Sequence, residues 1–376
     1  MMHYTLHLTN QCNMACDYCY VDHGQYHVMD LQTAKKAVDL ASAGNQKSAV
    51  GIIFFGGEPL TEKSLIQSVV EYCHDRQKQG GWLFHFKLTT NGLMLDEDFL
   101  KFAQQHRILI ALSHDGILEA HDRHRKDNSG KGTYDLLSGR IDRLLTNQPY
   151  APVMITINPD TVQYYRKSVE YLYGKGFKYI ICSMNYGGDW DERSLGILRS
   201  QYVELAEFYF EKMSLEDKFY LSPFEVKISS HVNRDNYCRE RCELGKKQIS
   251  VGPDGALYPC VQFVGDPCYG IGNVETGLDE VKRNLLYEQN EKEKVECENC
   301  AIKLRCNHHC GCLNRQATGY IDRVSPVLCE HERMILSIAD QVAEKLFKKR
   351  NALFIQKHYN DMYPLVSLVE DRTSKP

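Results

Sequence analysis

Three cysteines spaced Cys12-x3-Cys16-x2-Cys19, the last flanked as Tyr18-Cys19-Tyr20, follow the first β-rich run and set the tightest limit on what this chain can become. Thiolates at that spacing hold three irons of a four-iron, four-sulfide cluster and leave the fourth iron without a protein ligand. An iron left open in this way chelates a small molecule, which places cofactor chemistry at residue 12. Zinc is the plainer alternative, but it takes four ligands in paired Cys-x2-Cys units, and no fourth cysteine lies near this loop.

The rest of the composition agrees. Fifteen cysteines in 376 residues is heavy usage, and the chain has neither a basic segment followed by an apolar one at its start nor an apolar run of membrane-spanning length. The cysteines are therefore expected in a reducing, cytoplasmic compartment, where dense Cys-x2-Cys spacing means metal rather than disulfide. A net charge of −4 with mixed signs carries no signature of a nucleic-acid or membrane partner.

Along the first 225 residues, β-rich runs alternate with helical patterns. Strands are expected at Tyr4 to Thr9, Val50 to Phe55, Leu83 to Thr89, Ile108 to Ser113, Val153 to Ile157 and Tyr179 to Met184. Helices are expected at Leu31 to Ala43, Leu65 to Gln79, Phe99 to Gln105, Leu136 to Leu145 and Val162 to Tyr173. This is an α/β pattern, and right-handed βα units in this number close into a partial (β/α)6 TIM-type barrel with one side open to a large substrate. Chemistry in such barrels collects at the C-terminal ends of the strands.

That is where the unusual residues fall. The second strand ends in Phe55-Gly56-Gly57-Glu58-Pro59, where two glycines allow close backbone approach to a ligand and Glu58 can accept from an ammonium group. The third ends in Thr89-Thr90-Asn91-Gly92 and the fourth in Ser113-His114-Asp115-Gly116, short polar groups suited to a ribose or carboxylate and equally common as turn and cap residues. Arg125 either pairs with a ligand carboxylate or is a solvated surface charge, and His121 and His124 beside it carry no assigned chemistry. No residue is assigned as a catalytic acid or base.

The second half reads Cys242-x12-Gly255-x4-Cys260, then Cys297-x2-Cys300-x5-Cys306-x3-Cys310, then Cys329. Seven ligands exceed one tetrahedral zinc ribbon. Cys73 and Cys182 are read as small buried hydrophobes, while Cys268 and Cys312 stay unassigned. Met334 to Phe347 carries apolar residues at helical spacing and is expected to close against the core. The expected divisions are 1–225 for the barrel, 226–335 for the cysteine-rich domain and 336–376 for a helical tail.

In order and spacing, the cysteine triplet, Gly56-Gly57-Glu58-Pro59, Thr90-Asn91-Gly92 and Ser113-His114-Asp115-Gly116 resemble the radical S-adenosylmethionine superfamily. The resemblance implies that Tyr18 lies near the adenine, Glu58 near the methionine amino group, and Asn91, Ser113 and Arg125 near the ribose or carboxylate. It also implies reductive cleavage of S-adenosylmethionine to a 5′-deoxyadenosyl radical, with electrons from a flavodoxin- or ferredoxin-type reductant. The later cysteines resemble the SPASM extension, which implies two auxiliary 4Fe-4S clusters and three in all. By that resemblance Cys297, Cys300, Cys306 and Cys329 hold one, and Cys242, Cys260 and Cys310 hold the inner one, with Cys238 as its natural fourth ligand. Without Cys238, the inner cluster would keep an open iron able to capture a substrate thiolate.

Within this group the substrates are peptides or proteins. The architecture resembles the anaerobic sulfatase maturases, but those place an Asp base directly after the Gly-x4-Cys cysteine, where this chain has Val261. The segment Tyr258 to Gly265 is instead similar to the thioether-forming ranthipeptide maturases, and with only eleven residues before Cys12 it is most similar to those of the freyrasin type. The expected reaction joins a Cys sulfur to a carbon of another residue, acidic residues included, in a cysteine-containing precursor peptide. A sulfatase-type or quinoprotein-type protein maturase is the alternative. A non-catalytic iron-sulfur electron carrier is the alternative of another class, and it leaves Gly56-Gly57-Glu58-Pro59 without a purpose.

Overall fold

The computed structural model describes residues 2–24, 27–43, 49–233 and 242–373. Strands β1 (Met2–His7), β2 (Ala49–Phe55), β3 (Leu83–Thr90), β4 (Ile108–Ser113), β5 (Pro152–Ile157), β6 (Tyr179–Met184) and β7 (Tyr220–Leu221) alternate with helices. The helices are α1 (Leu31–Ala43), α2 (Lys63–Gly80), α3 (Glu97–Gln105), α4 (Leu118–His124), α5 (Tyr134–Asn147), α6 (Tyr165–Gly174), α7 (Glu192–Ser214) and α8 (Ser222–Val232). The strands from β1 to β7 are parallel neighbours in sequence order, the βα arrangement of a partial barrel.

Each strand shows why it forms. In β2, Val50, Ile52 and Phe54 are fully buried against the helices, while Gly51, Ile53 and Phe55 alternate onto the other face. In β3, Phe84, Phe86 and Leu88 do the same, and Phe54 stacks on Phe86 with ring centroids 6.2 Å apart. Burying each such side chain stabilises the fold by about 1.5–3 kcal/mol. Helix starts are fixed by side chains: Asp96 accepts from the Phe99 N–H (2.9 Å), and Asp191 and Ser194 form a capping box at the head of α7.

The cysteine-rich half does not begin as a detached unit. Strand β8 (Gln248–Val251) pairs parallel with β1, His3 opposite Gln248 and Leu6 opposite Val251, and β9 (Leu257–Tyr258) folds back antiparallel on it. Among the described residues the sheet therefore has nine strands in the order β7-β6-β5-β4-β3-β2-β1-β8-β9. A short ribbon, β10 (Gly272–Asn273) with β11 (Gly277–Leu278), precedes α9 (Glu280–Glu291) and α10 (Gly311–Thr318). Helix α11 (Pro326–Lys348) then packs on α7 and α8 through Leu328, Ile335, Ala339, Val342 and Leu346, and α12 (Ala352–Tyr359) and α13 (Tyr363–Thr373) complete the chain.

The expected barrel strands and the closing helix are present, with ends shifted by up to two residues for the strands and with α11 starting earlier than expected. Strands β7, β8 and β9 and helices α7 and α8 were not anticipated. The expected division at 225/226 falls inside α8 and that at 335/336 inside α11, where continuous helical hydrogen bonding joins the two sides. Among the described residues, no helix is long and apolar enough to cross a membrane.

Candidate active site

The cysteine loop is held on the strand ends by backbone hydrogen bonds. The Leu8 N–H donates to the Phe55 carbonyl (2.9 Å), Gly57 to Thr9 (2.8 Å) and Glu58 to Gln11 (2.8 Å). Gly56 has φ +139°, and a Cβ on Gly57 would overlap the Gln11 carbonyl. The two glycines thus admit the close approach of the cysteine loop. On the far side the Ala15 N–H donates to the Lys126 carbonyl (2.8 Å), and the Cys19 N–H closes a turn on the Cys16 carbonyl (3.1 Å).

Cys12 and Cys16 are half-buried and Cys19 is exposed. Burial pushes the Cys12 thiol up to about 12 and the Cys16 thiol up to about 11, with the neighbouring thiols adding to both, and burial raises Cys19 as well. Three mutually repelling thiols that resist ionisation on their own are a donor set suited to a cationic iron core, which would hold all three as thiolates. Among the described residues no three His, Cys, Asp or Glu side chains are gathered tightly enough for a single metal ion.

Glu58 is fully buried, and burial raises its carboxyl. One oxygen accepts from the Leu60 N–H (2.9 Å) and the Thr90 hydroxyl (2.8 Å), the other from the Asn91 N–H (2.8 Å). The Asn91 amide donates to Asn13 (2.8 Å), which ties the end of β3 to the cysteine loop. Ser113 lies half-buried at the end of β4.

Arg125 is buried rather than solvated, 6% exposed, and pairs with Asp115, Nε to Oδ2 at 2.9 Å and Nη2 to Oδ1 at 3.3 Å. Asp115 also accepts from the Tyr18 hydroxyl (2.6 Å) and the Thr156 N–H (2.9 Å), and the guanidinium lies over the Tyr18 ring, 5.5 Å from its centroid. Burial raises the Tyr18 phenol well above its ordinary value, so it stays a hydrogen-bond donor. Next to it His124 sits 2.8 Å from Asp17 and 2.9 Å from Asp160, and Arg123 lies 2.8 Å from Asp160. These residues, with Asn158, Asn185 and Asp189, line a cavity of about 920 Å³ at the C-terminal ends of β5 and β6.

In the second half, Cys242, Cys260 and Cys310 lie within mutual electrostatic reach. Cys312, unassigned in the sequence, joins them, its Sγ 3.3 Å from that of Cys310. Cys238 lies outside the described residues. Tyr20 is 42% exposed as a residue but faces both halves: Cys19, Cys260 and Cys312 all act on its phenol, which desolvation at that end of the side chain raises above its ordinary value. It lines a cavity of about 400 Å³ with His7, Asp22, Tyr258 and Val261. Cys297, Cys300 and Cys329 form another mutually interacting set, with Cys306 beside Cys329 and Glu332, and Glu332 is held by the buried Lys227 at 2.6 Å. Cys73 is buried, Cys182 half-buried and Cys268 exposed.

Sequence reasoning missed Asp115 as the hub of Arg125 and Tyr18, the His124 bridge, the position of Tyr20 and the contact of Cys312. The Ser-His-Asp-Gly strand end was a signal for Asp115, but its partners ten to ninety-seven residues away were not visible in spacing.

Residues 6–193 match the model of the radical SAM superfamily and residues 242–307 that of an iron-sulfur cluster-binding domain, SPASM. An uncharacterized protein of Methanocaldococcus jannaschii is 29% identical over 72% of this chain and 88% of its own length. The cysteine-type anaerobic sulfatase-maturating enzyme of Clostridium perfringens is 22% identical over 80% of this chain and 85% of its own. The solved structure of native anSMEcpe with bound AdoMet and Cp18Cys peptide superimposes with a TM-score of 0.77 at 18% identity, covering 92% of this chain and 98% of that one.

Proposed function

The chain belongs to the radical SAM superfamily and carries a SPASM iron-sulfur domain, and on that premise we propose that it is a peptide maturase of the thioether-forming, freyrasin-like ranthipeptide type. Cys12, Cys16 and Cys19 would hold a 4Fe-4S cluster, which together with S-adenosylmethionine would supply radical chemistry for removing a hydrogen atom from the substrate. Glu58 keeps an acceptor position on Oε2 for the methionine ammonium, while Arg125, fixed by Asp115, offers its remaining N–H groups to the carboxylate. Tyr18, Asn91 and Ser113 border the nucleoside, and Gly56 and Gly57 hold the cysteine loop in place.

The auxiliary centres are assigned to Cys297, Cys300, Cys306 and Cys329, and to Cys242, Cys260 and Cys310 with Cys238. Over the reaction the peptide loses two hydrogens, one as the abstracted atom and one as the thiol proton. The new bond joins sulfur to carbon, and the one electron left over would be taken up by an auxiliary centre held by these cysteines. The observation that carries the reading is Val261, an apolar side chain beside Cys260 on the cavity that holds Tyr20. A formylglycine-forming maturase needs a carboxylate base at that position.

A sulfatase-type reaction is favoured instead by the extent of the likeness to the Clostridium perfringens enzyme, 80% of this chain. High-resolution mass spectrometry of a cysteine-containing candidate precursor, incubated anaerobically with enzyme, reductant and S-adenosylmethionine and then alkylated, separates the two. Loss of two hydrogens with a cysteine closed to alkylation and fragmentation blocked within a ring supports the thioether. A product carbonyl supports the sulfatase or quinoprotein type. Absence of deoxyadenosine would leave only an electron carrier.

A further inference from the structure

Cys312 lies at the second position of α10, with Cys310 as the residue that caps the same helix. The Cys310 Sγ to Cys312 Sγ separation of 3.3 Å is hydrogen-bond range for sulfur, and the Cys312 side chain bonds Cys260 as well. One thiol thus bridges two sulfurs that come from segments fifty residues apart. Leu244, Tyr258, Phe263 and Ile321 pack around Cys260 and Cys312, so the bridge is shielded from water. The sequence had left Cys312 without a role, because a Cys-x-Cys pair falls outside the SPASM spacing.

We propose that Cys312, through its one S–H shared between the ligand sulfurs Cys260 and Cys310, is a hydrogen-bond donor placed to set the reduction potential of the inner auxiliary centre, and is not itself a ligand. The inference rests on the assignment of Cys260 and Cys310 as ligands made above. Two thiols at neighbouring positions of one helix turn with touching sulfurs point at the same spot, whereas ligands of one cluster must reach different irons. A donor needs the contact seen here and no rearrangement.

Donors are already concentrated at these two sulfurs. The backbone N–H groups of Val261 and Gln262 point at Cys260, and those of Cys312 and Leu313 point at Cys310. Each donor withdraws negative charge from a ligand sulfur, which favours the reduced state and raises the potential. The Glu332 carboxylate acts on Cys306 and Cys329 and on Cys310 as well, so it does not set the two groups of cysteines apart. Cys312 therefore raises the potential of the inner auxiliary centre and makes it a better electron acceptor than it would be without this donor.

The test uses full-length protein reconstituted anaerobically with Cys12, Cys16 and Cys19 replaced by Ala, so that only auxiliary centres remain. Iron and sulfide are counted, and reduction is followed by electron paramagnetic resonance during potentiometric titration, for Cys312 intact, Cys312→Ala and Cys312→Ser. The expected result is unchanged iron in all three, a more negative potential for one centre in Cys312→Ala, and a potential near the parent's in Cys312→Ser, whose hydroxyl still donates. Loss of about four irons in Cys312→Ala would make Cys312 a ligand and overturn the proposal. An unchanged potential in Cys312→Ala would overturn it too. Cys260→Ala and Cys310→Ala serve as controls: if they keep the full iron, the ligand assignment itself has failed, a result distinct from failure of the donor role.

Discussion

Replacing Asp115 with Asn keeps the shape of the side chain and removes its charge, which leaves the Arg125 guanidinium, only 6% exposed, without its partner. Breaking a buried pair on one side costs about 3–5 kcal/mol, because the remaining charge stays desolvated. The amide oxygen of Asn can still accept one or two of the four donors now on Asp115, namely two from Arg125 and one each from Tyr18 and Thr156. We therefore expect the lower end, about 3 kcal/mol. Amide hydrogen exchange reads this locally, since the Thr156 N–H donates to Asp115 directly. At 1.36 kcal/mol per factor of ten, exchange over β5 should quicken by about a hundredfold where opening is local. Arg125→Met removes the other charge, so the Asp115→Asn/Arg125→Met double variant should recover most of the protection. Acceleration of less than about fivefold, or a double variant no better than the single one, would refute the view that this pair is a buried electrostatic unit.

Other consequences are as direct. Ala at Cys12, Cys16 or Cys19 should abolish deoxyadenosine formation, and cleavage at the parent rate would remove the assignment of the radical centre. Ala at Cys297, Cys300, Cys306 or Cys329 should keep some S-adenosylmethionine cleavage while losing the modified peptide, as read by mass spectrometry. Gly57→Ala should push the Gln11 carbonyl away and unseat the cysteine loop, lowering iron content at the first site; full iron with unchanged absorbance would show that the approach is not tight. His358, packed on Phe354 and 3.5 Å from Glu225, has its imidazole lowered to about 4, chiefly by burial, with Glu225 opposing and Lys357 adding. Because the unfolded chain then takes up the proton more readily, this contribution is present above pH ~6.5 and is lost as pH falls toward ~4, up to about 3 kcal/mol. His358→Gln should flatten the urea-denaturation stability between pH 7 and 5 relative to the parent.

The barrel was legible because its strands are local statements: Val50, Ile52 and Phe54, or Phe84, Phe86 and Leu88, declare a strand and its buried face within a few residues. Strand β8 declares little, being four residues long with a partner 245 positions earlier, and it took the folded chain to reveal its place beside β1. The site followed the same division. Cys12, Cys16, Cys19 and Glu58 stand out as candidates because their motifs are contiguous. The grip of Asp115 on Tyr18 spans ninety-seven positions, and the contact between Cys260 and Cys312 joins two segments that no spacing rule relates. At Gly56 and Gly57 the sequence shows that the backbone can be closely approached, and only the folded chain shows that Thr9 and Gln11 lie there.

The pairing of β8 with β1 bears on how such an enzyme can be rearranged. Cys12 follows β1 by five residues, and Cys242 and Cys260 bracket β8, so one ladder of peptide hydrogen bonds acts as the ruler between the first cysteine loop and the later ones. Lengthening the chain just before β8 by one residue offers two outcomes: a bulge absorbs the insertion, or the register slips by about 3.3 Å and turns every β8 side chain to the opposite face. The cysteine-rich half is consequently not a cartridge to be exchanged at a linker. A working chimera would have to carry β1 and its partner strand together, so the unit of inheritance is the strand pair and not either half.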